Sequence, residues 1–195
     1  MTRAFVALLL DEATRASVGA EIDRLRPLSR AVAWVPTANL HLTLRFLGEQ
    51  SDEQIGLVEA ALVEAAAVTF PFALTLHGLG AFPGLERPRI LWVGIADGAV
   101  PVRELQTRVE TALERHGFPR ERKAWHPHLT IGRVFDERAW RRDAGLPLRQ
   151  ALAAAARRSF GTLAVSHITL MRSDLSPRGA RYHELASAEL TLGRA

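Results

Sequence analysis

His41-Leu42-Thr43-Leu44 and His128-Leu129-Thr130-Ile131 follow one pattern, polar at the first and third positions and apolar at the second and fourth. Such alternation marks a half-buried strand, on which residues i and i+2 share a face. His41 and Thr43 then point one way while Leu42 and Leu44 enter a core, and His128 and Thr130 repeat this over Leu129 and Ile131. Each strand offers an imidazole and a hydroxyl side by side on a rigid support. If the two strands occupy related positions in two lobes, both pairs face one cleft.

The triplet is common by itself. Fewer than one His-x-Thr is expected by chance in this composition and three occur, His167-Ile168-Thr169 being the third. Flanking residues separate them. His41 lies within Asn39-Leu40-His41-Leu42-Thr43-Leu44-Arg45-Phe46-Leu47-Gly48, and His128 follows Pro127 and precedes Gly132-Arg133. His167 has no such neighbours.

Around these strands the chain reads as alternating sheet and helix. Ala4–Leu10 is a short apolar run suited to a buried strand. Val18, Ile22, Leu25 and Leu28 recur at helical spacing, with Asp11 as N-cap. Ala31–Val35 and Leu40–Leu47 read as strands. Ser51 with Gln54 forms a capping box for a helix carrying Ile55, Val58 and Leu62. Phe72, Leu74 and Leu76 alternate as a strand, Ile90–Ile95 as its neighbour, and a Gly/Pro-rich loop from Gly78 to Pro88 joins them. Pro101 suits the first turn of a helix whose stripe is Val102, Leu105, Val109 and Leu113, ended by Gly117. After the loop Phe118–Pro127 comes the strand His128–Val134, then a weakly patterned stretch with a helix over Leu148–Arg158. Strands over Leu163–Met171 and Arg181–Leu190, joined by a turn at Pro177–Gly179, complete the pattern. This order favours an α+β fold of antiparallel sheets backed by helices, a single domain over residues 1–195.

Composition narrows the chemistry. The absence of cysteine excludes disulfides, thiolate nucleophiles and cysteine-ligated zinc. Net charge is +4, yet Lys123 is the only lysine, so arginine-rich, alanine-rich usage accounts for much of the basicity. No apolar run reaches the ~18 residues that span a bilayer. Arg3 before Ala4–Leu10 resembles a short signal core, but Asp11 and Glu12 follow at once with no small-residue cleavage site. A cytoplasmic monomer is expected.

Together these segments resemble the two-histidine phosphoesterase superfamily, and within it the RNA 2',3'-cyclic phosphodiesterase branch, also called the 2'-5' RNA ligase family. Carrying the resemblance are Trp34-Val35-Pro36, Asn39–Gly48 and Pro127–Arg133, with Phe5-Val6-Ala7-Leu8, Leu79–Pro83, Pro88–Trp92 and Gly179-Ala180-Arg181-Tyr182 in the expected order. It implies a bilobal α+β fold with two pseudo-symmetric antiparallel sheets around a central cleft. His41 and His128 are implied as catalytic, and Thr43, Thr130 and Arg133 as substrate-binding. Strict alternation would put Arg133 opposite to Thr130, so a twist, bulge or strand end has to redirect it.

The implied reaction opens a strained cyclic phosphate at an RNA end without a cofactor or metal. Two imidazoles near neutrality can divide the proton transfers. The threonine hydroxyls and Arg133 can meet the charge gathered on phosphoryl oxygens. The resemblance assigns proton donation to the 3' oxygen to His41 and water activation to His128, with 2'-5' joining as the reverse reaction; the residues alone leave that direction open.

Three rivals remain. His41, His126 and His128 could ligate a metal, although neither His-x-Thr segment supplies a carboxylate. Arg87, Arg89, Arg120, Arg122 and Lys123 could make a non-catalytic RNA-binding surface, with Trp92 or Trp125 stacking on bases. The substrate could also be a small cyclic nucleotide. His77, His116, His167 and His183 read as structural.

Overall fold

β1 (Thr2–Leu9) sorts its side chains strictly by parity: Ala4, Val6 and Leu8 join the main core, whereas Phe5 and Ala7 join a second, smaller cluster with Met171 on the opposite face. That two-sided burial follows from pairing with strands on both edges. In the computed structural model, which describes residues 1–142, 145–176 and 179–191, β1 is followed by α1 (Glu12–Leu25), β2 (Val32–Trp34) and β3 (His41–Gln50). Next come α2 (Asp52–Ala67), β4 (Phe72–Phe82), β5 (Ile90–Ile95), α3 (Ala99–Arg115) and β6 (Leu129–Val134). The described chain continues with α4 (Glu137–Arg142), α5 (Gly145–Ala154), β7 (Ser159–Val165), β8 (His167–Ser176) and β9 (Gly179–Glu189).

Helix starts follow the local chemistry. The Asp11 carboxylate accepts the Thr14 amide at 2.8 Å, and Ser51 and Gln54 complete both bonds of a capping box. The stripes Val18-Ile22-Leu25 and Val102-Leu105-Val109-Leu113 are fully buried.

The strands pair antiparallel in two halves, β3-β1-β8-β9 and β6-β5-β4-β7. In each half a histidine strand pairs with the strand that precedes a helix: β1, α1 and β3 in one, β5, α3 and β6 in the other. The halves meet where β3 touches β6, at the single paired position Leu42↔Leu129, so hydrogen bonding makes the expected two sheets one curled nine-stranded sheet. β2 covers the rest of that edge of β6, pairing Trp34 with Gly132. α2 packs on β8 and β9, α1 reaches β7, and α3 lies against α2, β3 and β4.

Three elements differ from expectation. β4 runs on to Phe82 through the anticipated Gly78–Pro88 loop, because its glycines serve the sheet. Gly78 adopts φ +73°, and a Cβ on Gly80 would lie 2.3 Å from the Trp92 ring. The strand expected over Leu163–Met171 is two strands broken at Ser166, β7 beside β4 and β8 beside β1, so the chain crosses between halves there. The helix expected over Leu148–Arg158 instead covers Gly145–Ala154. It stops because the carbonyls of Ala155 and Arg158 accept the Leu79 and Gly78 amides of β4. Of the expected Pro177–Gly179 turn, Pro177 and Arg178 lie outside the described residues.

Candidate active site

The joint between the halves brings the two histidine strands together. In an antiparallel register through Leu42↔Leu129, extended one residue each way, His41 falls beside Thr130 and Thr43 beside His128. Leu42 and Leu129 are buried beneath them. The two His-x-Thr pairs thus sit crosswise on one face, related by a local two-fold axis through the leucines.

The imidazoles are held identically. His41 Nδ1 lies 2.8 Å from the Asn39 carbonyl oxygen, and His128 Nδ1 lies 2.7 Å from the His126 carbonyl oxygen. A carbonyl only accepts, so both Nδ1 atoms carry hydrogen and both Nε2 atoms are left to titrate. Each ring also meets an aromatic edge-to-face, Tyr182 against His41 at 5.2 Å and 88° and Phe82 against His128 at 5.2 Å and 89°. Phe5 lies against His41 at 4.8 Å. Asn39 is in turn anchored by its amide, which donates to the Ala180 carbonyl at 2.8 Å.

Burial lowers the proton affinity of both imidazoles. The carbonyl bond at each Nδ1 works against this, and the nearby Arg133 guanidinium adds to the lowering at both rings. His128 is depressed further by its neighbour His126. One arginine therefore acts electrostatically on both histidines.

Arg133 reaches that face through a β-bulge. Thr130 pairs with Trp92 and Gly132 with Leu91, leaving Ile131 as an extra residue on β6. Arg133 then pairs with Ile90, which shares the face of Trp92 and hence of Thr130. Thr43 and Thr130 are half-buried, and neither hydroxyl has a hydrogen-bond partner among the described residues.

Other candidate residues surround this face or lie away from it. Trp125 donates its indole N–H to the Thr43 carbonyl at 3.1 Å, so it ties the 118–127 loop to β3. Trp92 is half-buried against Gly80 and packs on Phe82 at 5.2 Å. Arg120 is bonded to Glu114 and Thr111, whereas Arg87, Arg89, Arg122 and Lys123 are exposed. His126 is exposed beside the site, and His167 is exposed with its Nδ1 on Ser166. Among the described residues no group of three or more His, Cys, Asp or Glu side chains could hold a metal ion.

The 2'-5' RNA ligase superfamily profile matches residues 14–177. An RNA 2',3'-cyclic phosphodiesterase of Archaeoglobus fulgidus is 34% identical over 94% of this chain and 97% of its own length. The chain belongs to the 2'-5' RNA ligase superfamily. A Methanothermobacter thermautotrophicus protein of the same description is 31% identical over 94% of this chain and 96% of its own. Among solved structures, Thermus thermophilus TT0787 superposes with a TM-score of 0.77 at 29% identity, covering 96% of this chain and 97% of that one. Escherichia coli LigT complexed with 3'-AMP does so with a TM-score of 0.74 at 26% identity, covering 97% and 98%.

Alternation puts each histidine and its threonine on one face, and flanking residues separate the two pairs of this superfamily member from His167-Ile168-Thr169, but neither reveals their supports. Phe5, Phe82 and Tyr182 stand in segments that carried the resemblance, without a role. Only the long-range pairings of β1, β4 and β9 put them around the imidazoles. The Asn39 and His126 carbonyls are equally invisible in a residue pattern, though both lie two positions before a histidine.

Proposed function

We propose that the protein is an RNA 2',3'-cyclic phosphodiesterase that works by two-histidine acid–base catalysis without a metal. The observation that carries this reading is the crosswise pair of His-x-Thr strands, each imidazole locked at Nδ1 and open at Nε2. The names of its relatives support the substrate class.

Water attacks the cyclic phosphorus and passes a proton to the neutral Nε2 of His128. The P–O3' bond breaks as the protonated Nε2 of His41 supplies a proton to the leaving oxygen, and a 2'-phosphate remains. Charge gathers on the non-bridging oxygens, where the Thr43 and Thr130 hydroxyls donate and the Arg133 guanidinium adds charge-assisted bonds. Replacing water by an RNA 5'-hydroxyl on the same path gives a 2'-5' linkage. Bulk water favours hydrolysis.

An oligonucleotide ending in a 2',3'-cyclic phosphate, assayed with chelator present, tests this. Turnover should persist in wild type and fall about 10²- to 10⁴-fold in His41→Ala and in His128→Ala, the usual weight of one proton-transfer group. Undiminished turnover in either variant, or its loss with chelator, overturns the mechanism. Parallel assays on cyclic mononucleotides show whether a small cyclic nucleotide is the better substrate.

A further inference from the structure

The two carbonyls that lock the imidazoles are themselves held by unlike means. Each stands two residues before its histidine, Asn39 for His41 and His126 for His128. The residue between is Leu40 on the first strand and Pro127 on the second. A proline ring fixes φ at about −65° and confines the residue before it to extended backbone, so Pro127 itself limits where the His126 carbonyl can point. Leu40 has nearly the same torsion, φ −69°, with no ring to impose it. Something else must keep the Asn39 carbonyl in place.

Asn39 is tied at both its backbone and its side chain. Its backbone N–H donates to the Pro36 carbonyl at 2.8 Å and closes the short turn Thr37–Asn39. Its side-chain amide donates at 2.8 Å to the Ala180 carbonyl of β9, 141 residues away. The turn also packs on α1, so closely that a Cβ on Gly19 would lie 2.8 Å from the Thr37 methyl group. Two residues past Ala180, Tyr182 meets the His41 ring edge-to-face. β9 thus supports one imidazole twice, through the residue whose carbonyl holds Nδ1 and through a ring contact.

A carbonyl that slackened would cost His41 in two ways. Without an acceptor at Nδ1, the proton of the neutral ring is free to sit on either nitrogen, and the ring is free to turn. The same bond also opposes the lowering of proton affinity by burial, so His41 would hold its proton less well. We propose that Asn39 is a positioning residue for His41: its side-chain amide, tied to Ala180 of β9, does for the first histidine strand what Pro127 does for the second. The β8–β9 hairpin, remote in sequence from both histidine strands, thereby becomes part of what sets the reactive nitrogen of His41. This inference rests on the two-histidine reading above.

The test compares wild type with Asn39→Ala and Asn39→Leu in the full chain. Leu keeps roughly the size of Asn without charge or donor, so a loss shared by both variants comes from the missing bond rather than from a void. Long-range proton–nitrogen NMR reads the tautomer and titration of each imidazole, and an oligonucleotide ending in a 2',3'-cyclic phosphate reads turnover. In wild type both neutral rings should carry hydrogen on Nδ1. In both variants His41 should become a mixture of tautomers and titrate at lower pH, while His128 stays as it was. Turnover should show kcat reduced by up to about a hundredfold, the cost of misplacing a reacting group by about 1 Å, with KM near wild type. A His41 ring still locked in both variants overturns the inference, as does a lost lock with undiminished kcat. Equal changes at His128 also overturn it, since they mark a general loosening. The imidazole signals are read without substrate, so a wild type that is locked but turns nothing over sinks the function and not the lock.

Discussion

Arg133 couples the two imidazoles more directly than any other side chain in the site. Its charge lies close enough to disfavour protonation of both rings, in addition to the burial that already depresses them. The proposed mechanism needs one histidine protonated and the other neutral, so kcat/KM of the free enzyme should be bell-shaped, with both limbs set by groups titrating below the ordinary 6.5. The optimum is therefore expected on the acid side of pH 6.5. Arg133→Gln removes one cause of the lowering from each ring and leaves burial in place. Both limbs should move to higher pH, and the peak rate should fall about a hundredfold with loss of a transition-state donor. A pH–rate profile of the two proteins checks this, and an unshifted profile would separate Arg133 from the histidines. At this scale the shared face within each His-x-Thr pair was legible because period-two alternation reports a face directly, while preferring these two pairs to His167-Ile168-Thr169 took their flanking residues. The position of Arg133 was not, since it depends on a bulge defined by the partner strand, and one strand's sequence contains no partner.

Secondary elements divide in the same way. α1, α2 and α3 were readable with their caps, because Asp11, Ser51 with Gln54, and Gly117 act within a few residues of where they stand. The change of partner at Ser166 was hidden, as both β7 and β8 alternate apolar residues and periodicity does not report which strand lies alongside. The loop over residues 118–127 is likewise shaped by distant contacts. Glu110 on α3 binds Arg45 of β3 and accepts the Glu121 amide, and Trp125 then reaches the Thr43 carbonyl. Both Arg45 and Glu110 are nearly buried, at 10% and 9% side-chain exposure. Removing the acid alone leaves the arginine with the Pro119 carbonyl and only the more exposed Glu121 to balance its charge. Glu110→Ala should lower stability by about 3 kcal/mol, whereas Arg45→Met combined with Glu110→Leu should recover most of that loss. Chemical denaturation of the three proteins measures it. If the single variant is as stable as wild type, the pair does not hold the bulge at Leu44 of β3.

At the scale of the whole molecule, the narrow joint and the continuous core point in opposite directions. Among the described residues, direct pairing of β3 with β6 is limited to Leu42↔Leu129 and β2 adds three paired positions on β6, a joint that alone would suit two lobes that hinge or unfold separately. Burial indicates otherwise. One apolar cluster includes Val6 and Leu8 of β1, Leu74 and Leu76 of β4, Val109 of α3 and Leu163 of β7, and so runs through both halves without a break. The chain also crosses between halves at Ser166, and α1, which follows β1, packs on β7. Neither half could separate without exposing apolar surface and leaving helices without a sheet, and every Å² exposed carries about 25 cal/mol. The two halves should therefore fold as one domain. Thermal or urea unfolding followed by far-UV circular dichroism should coincide with unfolding followed by tryptophan fluorescence, in a single transition. The fluorescence probes are well placed for this, because Trp34 pairs with β6 at the joint, Trp92 lies in β5, Trp125 binds the β3 backbone and Trp140 is buried on α4. Two separated transitions would mean that the histidine strands belong to independent lobes. The register that sets His41 beside Thr130 would then be a feature of domain closure, and the preorganised site built on that register would have to be assembled by substrate.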